Sequence, residues 1–261
     1  MKKILLSLSM ASLVLLSACQ DQDIPTLKVN ISTIFSKEET IKYPPSKDEY
    51  TFENAQVEVH AELPETGIKW LDQLLIKKAY ELVSETEDNK KDNPTKQELV
   101  QKLQQINEQL VSEAQENIGP GMSFALSSTY IGQRNNIVTF SNDVYTYSGG
   151  AHGMNVTFYQ NIDTAKRKVI ELNDVISQQQ QAKLKEILWQ SYDNLIQREN
   201  DDYFTSKEGF TISEQFYFTD AGINFIYPPY ALRAYVYGDV VLTAPWYEIE
   251  EIINPEYKWK K

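Results

Sequence analysis

The chain has a single cysteine, Cys19, and only two histidines among its 261 residues. One thiol cannot form an intramolecular disulfide, and two histidines without HExxH or paired spacing give little support for a metal centre. Basic residues are also few, with 25 lysines and arginines against 37 acidic residues. Binding to phosphates needs a basic stripe, and the sequence has none, so we expect no nucleic-acid partner.

Cys19 follows a short apolar stretch, residues 4–16, which is preceded by two lysines. A positive start, a short apolar run and small residues before a cysteine are typical of a bacterial lipoprotein signal. The alternative is a transmembrane anchor, but about 15 residues at 1.5 Å each cover only about 22 Å of the roughly 30 Å of hydrocarbon. We therefore expect a signal peptide at residues 1–18, lipidation of Cys19 and a tether over residues 19–26.

Lipidation would anchor the protein to a membrane on its extracytoplasmic side. In a Gram-negative host an aspartate directly after the cysteine favours the inner membrane, and Gln20 stands there instead. We then expect the outer membrane, facing the periplasm. Because Cys19 carries the lipid, disulfides, cysteine catalysis and thiolate metal sites are excluded from the mature chain.

The mature chain is strongly acidic. Loss of two leader lysines leaves 23 basic against 37 acidic residues and a formal charge of −14. A protein with this charge attracts cationic partners. The alternative is that the charge serves only to keep the protein soluble.

Hydrophobic periodicity predicts an α+β fold with a mostly antiparallel sheet and helices packed on one face. Apolar residues alternate with polar ones over residues 57–63 and recur at helical spacing over residues 68–83. Asn93-Pro94 is expected to start a second helix, and Asn173 to cap a later element. This second helix is expected to end before residues 119–121. The other expected elements are strands over 122–172 with a turn at 163–166, a helix around 184–196, and strands at 215–219, 223–227 and 240–243.

The two histidines lie in different sequence contexts. His60 falls on the polar side of the alternating strand, where an exposed surface histidine is the expected state. His152 lies with Ser148 in a stretch that contains Gly149, Gly150 and a third glycine. A Ser-His pair suits nucleophilic catalysis, but the Gly-x-Ser-x-Gly elbow is missing. We favour a glycine-enabled bend that His152 holds by a hydrogen bond to the backbone, with contact to a partner as the alternative.

Several segments of the second half of the chain resemble the extracellular domain of the RsiV-like family. The resemblance is carried by residues 147–153, 161–163, 168–175, 216–223, 227–230, 235–238 and 244–246. Their order and spacing agree over roughly residues 140–253. Residues 30–130 resemble the more variable N-terminal half of that domain.

The resemblance implies a single α+β unit, with a variable half at residues 27–135 and a half of more constant pattern at residues 136–255. It also implies a binding domain rather than an enzyme, without catalytic residues, metal or cofactor. Family members include an anti-sigma factor that binds lysozyme, domains fused to polysaccharide deacetylases, and lipid-anchored proteins of unknown role. Sigma-factor control is not carried over, because it needs a cytoplasmic segment and a membrane-spanning helix.

Three functions remain open. The first is a non-catalytic envelope lipoprotein that binds lysozyme, another cationic protein, or a glycan such as peptidoglycan. The second is a structural or assembly lipoprotein without a soluble ligand. The third is a hydrolase of envelope polymers with a hidden carboxylate pair.

For the first function, the expected binding loops are Ser148 to His152 and Pro228 to Tyr230. The two prolines at 228 and 229 cannot continue a central strand, so the chain leaves regular pairing there and can present Tyr230. Six tyrosines supply amphipathic side chains for contact, although most of them suit strand packing equally well. They are Tyr145, Tyr147, Tyr227, Tyr230, Tyr235 and Tyr237.

Overall fold

The computed structural model describes residues 26–45, 51–84 and 91–258. The expected signal peptide, Cys19 and all but the last residue of the expected tether lie outside these ranges. Within them the chain forms two β-sheets and five α-helices. None of the helices in these ranges is both long enough and apolar enough to cross a membrane.

The larger sheet has six strands in chain order, and each neighbouring pair is antiparallel except β2 and β3, which are parallel. The predicted α+β class with mostly antiparallel pairing is confirmed. The strands are β1 (Asn30–Lys42), β2 (Asn54–Glu65), β3 (Gly121–Arg134), β4 (Ile137–Tyr147), β5 (Met154–Asp163) and β6 (Lys168–Val169).

Two helices connect β2 to β3 and provide the crossover that a parallel pair requires. They are α1 (Lys69–Leu82) and α2 (Lys96–Glu116). The predicted alternation in β2 is confirmed, since Val59 and Ala61 are buried against Leu99 and Leu103 of α2, while Glu58 between the apolar positions is exposed. One face of the sheet is therefore covered by helices.

Helix α2 begins later than its sequence suggested. Thr95 is its N-cap, and Glu98 completes a capping box in which each side chain accepts a hydrogen bond from the other residue's backbone N–H. Pro94 lies before the cap rather than in the first turn. The expected start at Asn93-Pro94 is corrected by the stronger Thr-x-x-Glu signal.

The turn expected at residues 163–166 is confirmed between β5 and β6. The Asp163 carboxylate accepts hydrogen bonds from the backbone N–H groups of Ala165 and Lys166, at 2.9 and 3.0 Å. An aspartate side chain that accepts from the backbone N–H groups two and three residues further on is a common way to close a tight turn.

The chain after β6 turns into a helix sooner than expected. The strand expected over residues 169–172 ends at Val169, and Leu172 opens the short helix α3 (Leu172–Val175). Glu171 is the cap, in a capping box with Asp174, whereas Asn173 lies inside the helix and accepts a hydrogen bond from Gln181. The expectation that Asn173 caps this element is wrong.

A second, three-stranded antiparallel sheet follows. Its strands are β7 (Phe216–Phe218), β8 (Gly222–Tyr227) and β9 (Val240–Pro245), and the remaining helices are α4 (Gln181–Glu199) and α5 (Trp246–Ile249). Helix α4 packs on this sheet through fully buried side chains at helical spacing, as its sequence predicted. These are Leu184, Leu188, Tyr192 and Ile196.

The two sheets meet along β5. The backbone N–H of Tyr159 donates to the Gln215 side chain at 2.9 Å, and the Asn161 amide donates to the carbonyl of Phe216 at 2.7 Å. Both contacts join β5 to the start of β7. The second sheet therefore supplies some of the hydrogen-bond partners for the edge of β5 that β6 does not cover.

Candidate functional site

The two loops expected to bind a partner come together around Tyr235. The His152 ring stacks on the Tyr235 ring with centroids 4.0 Å apart and an interplanar angle of 18°. On the other loop, the Tyr230 ring centroid lies 5.7 Å from that of Tyr235. The Tyr235 hydroxyl donates a 2.6 Å hydrogen bond to the carbonyl of Gly153. One tyrosine thus joins segments about 80 residues apart in the chain.

The loop between β4 and β5 depends on two of its three glycines. Gly149 has φ +82°, a conformation that glycine adopts without strain. A Cβ on Gly153 would lie 2.3–2.4 Å from atoms of the Tyr145 ring, so this glycine allows a close approach. Gly150 has an ordinary φ, and open space surrounds the position of its missing Cβ.

His152 and Ser148 are both exposed on this loop. His152 Nδ1 lies 3.0 Å from the Gly153 carbonyl oxygen, which is the backbone contact expected of a histidine that holds the bend. The contact requires a proton on Nδ1, because a carbonyl oxygen can only accept. No hydrogen bond joins Ser148 to His152 in the described part of the chain. The arrangement offers no activated serine.

Beyond β8 the chain leaves the sheet at Pro228, as expected. The Pro228 carbonyl accepts from the Ala231 N–H, and the Tyr230 N–H donates to the Arg233 carbonyl, each at 3.0 Å. Tyr230 has φ +68°, which is unusual for a bulky residue, and 47% of its surface is exposed. The fold thus holds an aromatic ring in solvent on a constrained backbone.

Arg233 is the residue of this site that the sequence did not reveal. It is only 7% exposed, and its guanidinium donates to Glu199 at 2.7 Å and to Asp201 at 2.6 and 2.9 Å. Its guanidinium carbon lies 3.4 Å from the centroid of the Tyr237 ring. The hydrogen bonds from Arg233 lower the pKa of the Asp201 carboxyl. Its two acidic partners lie more than 30 residues upstream, so no local signal marks them.

Together these segments form an aromatic loop surface on a single turn of 3-10 helix, Tyr235–Tyr237, and its neighbours. Val236 is 83% exposed and the Tyr237 ring beside it is about half exposed, whereas Tyr235 is half-buried. We define this surface by Tyr145, His152, Tyr230, Val236 and Tyr237, with Tyr235 beneath it. Tyr227 belongs instead to the core, where its hydroxyl donates to Thr211 and its burial raises its pKa.

A pair of acids lies beside β5, near the stacked rings of Tyr159 and Tyr217. Thr157 donates a 2.7 Å hydrogen bond to Asp143. Burial raises the pKa of Asp239, and the charge of Asp143 adds to that rise.

His60 lies on the sheet surface, away from these groups. Its Nε2 is 3.2 Å from a carboxylate oxygen of Glu62, and its side chain is 42% exposed. Among the described residues, no three His, Cys, Asp or Glu side chains are placed to hold a metal ion.

Comparison with known proteins gives a family of unknown function and a shared fold. Residues 170–247 match the family described as "Protein of unknown function (DUF3298)". The chain is similar to the crystal structure of a DUF3298 family member from Bacteroides fragilis NCTC 9343, at 16% identity and a TM-score of 0.61, over 87% of this chain and 94% of that chain.

It is also similar to a DUF3298 family protein from Pseudomonas aeruginosa PAO1, at 18% identity and a TM-score of 0.58, over 90% of this chain and 98% of that chain. A comparison with curated proteins found no match. At these identities the solved structures establish a common fold and no activity.

Proposed function

We propose that this protein is a lipid-anchored binding protein of the cell envelope that captures a cationic protein through its aromatic loop surface. The observation that carries the proposal is the meeting of the two expected binding loops at Tyr235. Exposed tyrosines on a constrained backbone supply contact area at low entropic cost, which favours tight contacts. The RsiV-like resemblance makes lysozyme the first partner to test.

The acidic body supports a cationic partner. The formal charge of the whole chain is −12, and it becomes −14 without the two leader lysines. Opposite charges raise the rate of encounter, and the effect weakens as salt is added. Charge alone does not give specificity, so the aromatic surface must supply it.

The test is a calorimetric titration of the soluble fragment from Gln20 to Lys261 with lysozyme, at low and at physiological salt. An unrelated protein of equal positive charge is the control ligand. We expect saturable binding to lysozyme that persists at physiological salt and is absent with the control. Binding that the control shares and that salt removes would reduce the interaction to general attraction of cations.

Variants locate the surface. Tyr230→Asn removes the exposed ring and retains a residue that tolerates positive φ, and Tyr237→Ala removes a second ring. Each is expected to weaken binding by about tenfold or more if the ring is a central contact. Tyr247→Ala is the matched control, because Tyr247 is 78% exposed on α5 and outside the aromatic loop surface. Equal loss with the control variant would remove the support for this site.

The anchor is tested separately. Replacing Cys19 with alanine is expected to leave an unlipidated precursor, which metabolic labelling with a fatty acid and membrane fractionation would detect. Recovery of acylated, membrane-held Cys19→Ala protein would refute lipidation at this residue. In a Gram-negative host we propose the outer membrane, facing the periplasm, and density fractionation of the two membranes checks that placement.

A second candidate function, hydrolysis of an envelope polymer, is favoured by Asp143 and Asp239. Cleavage of a glycosidic bond uses a carboxylic acid with a raised pKa together with a second carboxylate, and burial raises the pKa of Asp239 near Asp143. The protein would then release reducing sugars from peptidoglycan, and Asp239→Asn would abolish the release. A structural or assembly role would give neither that activity nor saturable ligand binding.

A further inference from the structure

A cavity of about 360 Å³ lies where β6 leaves the edge of β5 uncovered. Its walls come from α1, from β5 and from the chain around the start of β7. Leu74, Lys77, Gln160, Val169 and Glu214 are among the residues that line it. The volume lies within the roughly 300–1,000 Å³ typical of small-molecule pockets. It is distinct from the aromatic loop surface, at the other end of β5.

Gln160 brings an unsatisfied group to this cavity. The residue is only 5% exposed, and its Nε2 donates a long 3.4 Å hydrogen bond to the carbonyl of Leu74. Its Oε1 is buried and has no hydrogen-bond partner among the described residues. A buried polar atom without a partner is costly and uncommon in folded proteins, so it calls for an explanation. A ligand that donates to Oε1 would supply one.

The neighbouring amides already have partners. The Asn161 side chain accepts from Thr139 and donates to the carbonyl of Phe216, at 2.9 and 2.7 Å. The Gln215 Oε1 accepts from the backbone of Tyr159 at 2.9 Å. These bonds fix the walls of the cavity while the acceptor of Gln160 stays unpaired.

The lining also limits the class of ligand. Two lysines, Lys77 and Lys78, stand with three glutamates, Glu81, Glu171 and Glu214, so both signs of charge are present in nearly equal number. Lys77 is already within 4.0 Å of Glu81. An ionic ligand would meet opposing charges, whereas a neutral ligand with several hydroxyl groups can donate to the amide and accept from the lysines.

We infer that the cavity between α1 and β5 binds a neutral saccharide unit, with Gln160 Oε1 accepting a hydrogen bond from a ligand hydroxyl or amide. The inference does not rest on the proposed capture of a cationic protein, because it concerns a different part of the molecule. A small-molecule titration can fail while protein binding persists, and the reverse holds as well.

The experiment is an NMR titration of the full soluble protein, isotopically labelled at glutamine side chains. The probes are N-acetylglucosamine and glucose at millimolar concentrations, and glycylglycine is the zwitterionic control. Gln160→Met assigns the Gln160 resonance, since it removes that signal. We expect a saturable shift of the Gln160 amide with at least one saccharide and none with the dipeptide. No saturable shift with either saccharide, or a shift with the dipeptide alone, would overturn the inference.

Two variants separate binding from structure. Gln160→Met keeps the volume and removes the unpaired acceptor, so we expect at least tenfold weaker saccharide binding and a Tm that rises by roughly 2–4 °C. Val169→Phe keeps Gln160 and fills part of the cavity, so binding should also fall at least tenfold. Gln105→Met, at an exposed position of α2, should change neither property. Retained binding in a folded Gln160→Met protein would refute the role of this side chain.

Discussion

The hydroxyl of Tyr235 offers the most direct test of how the aromatic loop surface is built. Tyr235→Phe removes the 2.6 Å hydrogen bond to the Gly153 carbonyl and leaves the ring in place to stack on His152. A hydrogen bond of this kind contributes about 0.5–1.5 kcal/mol net. The Gly153 carbonyl keeps His152 Nδ1 at 3.0 Å, so the acceptor is not orphaned. We therefore expect a loss of about 1 kcal/mol in the free energy of unfolding.

Tyr235→Ala should cost more, because it also removes the stacked ring. An aromatic pair adds about 0.5–1.5 kcal/mol beyond its buried area. The alanine variant is thus expected to lose about 1–3 kcal/mol from the hydrogen bond and one aromatic pair, and the lost buried area of the ring adds to this. Its excess over Tyr235→Phe measures the whole contribution of the ring.

The assay is urea denaturation followed by circular dichroism, with Tm as a second readout. A shift in midpoint at constant m reports stability alone. For a protein of this size, 1 kcal/mol corresponds to about 2–4 °C in Tm. Tyr247→Phe, at a position 78% exposed, is the matched control and should lie within about 0.5 kcal/mol of the parent. An unchanged midpoint for both Tyr235 variants would show that Tyr235 does not join the two loops.

Three further predictions concern other parts of the fold. A hydrogen bond from Lys91 is the main cause that lowers the pKa of the Glu98 carboxyl to about 2. The Glu98 carboxylate therefore stabilises the fold fully above pH 4.5, and this stabilisation is lost as pH falls toward 2. Glu98→Gln should make stability less dependent on pH between those values in acid denaturation. Burial raises the pKa of Tyr159 to about 12. The neutral Tyr159 phenol therefore contributes fully to the free energy of unfolding below pH 10, and this contribution is lost as pH rises toward 12. Tyr159→Phe should remove one late step from the absorbance titration at 295 nm. A Cβ on Gly222 would lie 2.1 Å from a backbone carbonyl oxygen, so Gly222→Ala should cost about 1–3 kcal/mol in urea unfolding, whereas Gly132→Ala, with open space around its Cβ, should cost far less.

Local patterns were enough to predict much of the fold. The alternation of residues 57–63 and the helical spacing of α4 correspond to buried faces in the structure, because both periods follow from backbone geometry. The two helices whose starts were predicted at the wrong residue, α2 and α3, also carry a local signal for the correct start. Thr95 and Glu98 form a capping box whose spacing is legible in the sequence, and Glu171 with Asp174 forms another.

The candidate site was predictable only in pieces. Gly149 and Pro228 mark two places where the chain must turn, and turns of this kind follow from the residue types. The sequence contains no comparable signal for the contact between Tyr235 and Gly153, because it depends on how two sheets pack over a separation of 82 residues. The sequence also contains no local signal for the contacts of Arg233 with Glu199 and Asp201. Long-range contacts of single side chains are set by the whole core.

The two proposed sites can be tested for independence through β5. Seven residues of nearly extended chain at about 3.3 Å each place Gln160 about 23 Å from Gly153. Changes more than 7–10 Å apart without shared partners usually add within about 0.3–0.5 kcal/mol. Gln160→Met is expected to stabilise the fold and Tyr235→Phe to weaken it, so the double variant should show the sum of the two midpoint shifts in urea. A larger deviation would mean that β5 couples the cavity to the aromatic loop surface, and occupancy of one site would then change affinity at the other by the same factor in both directions.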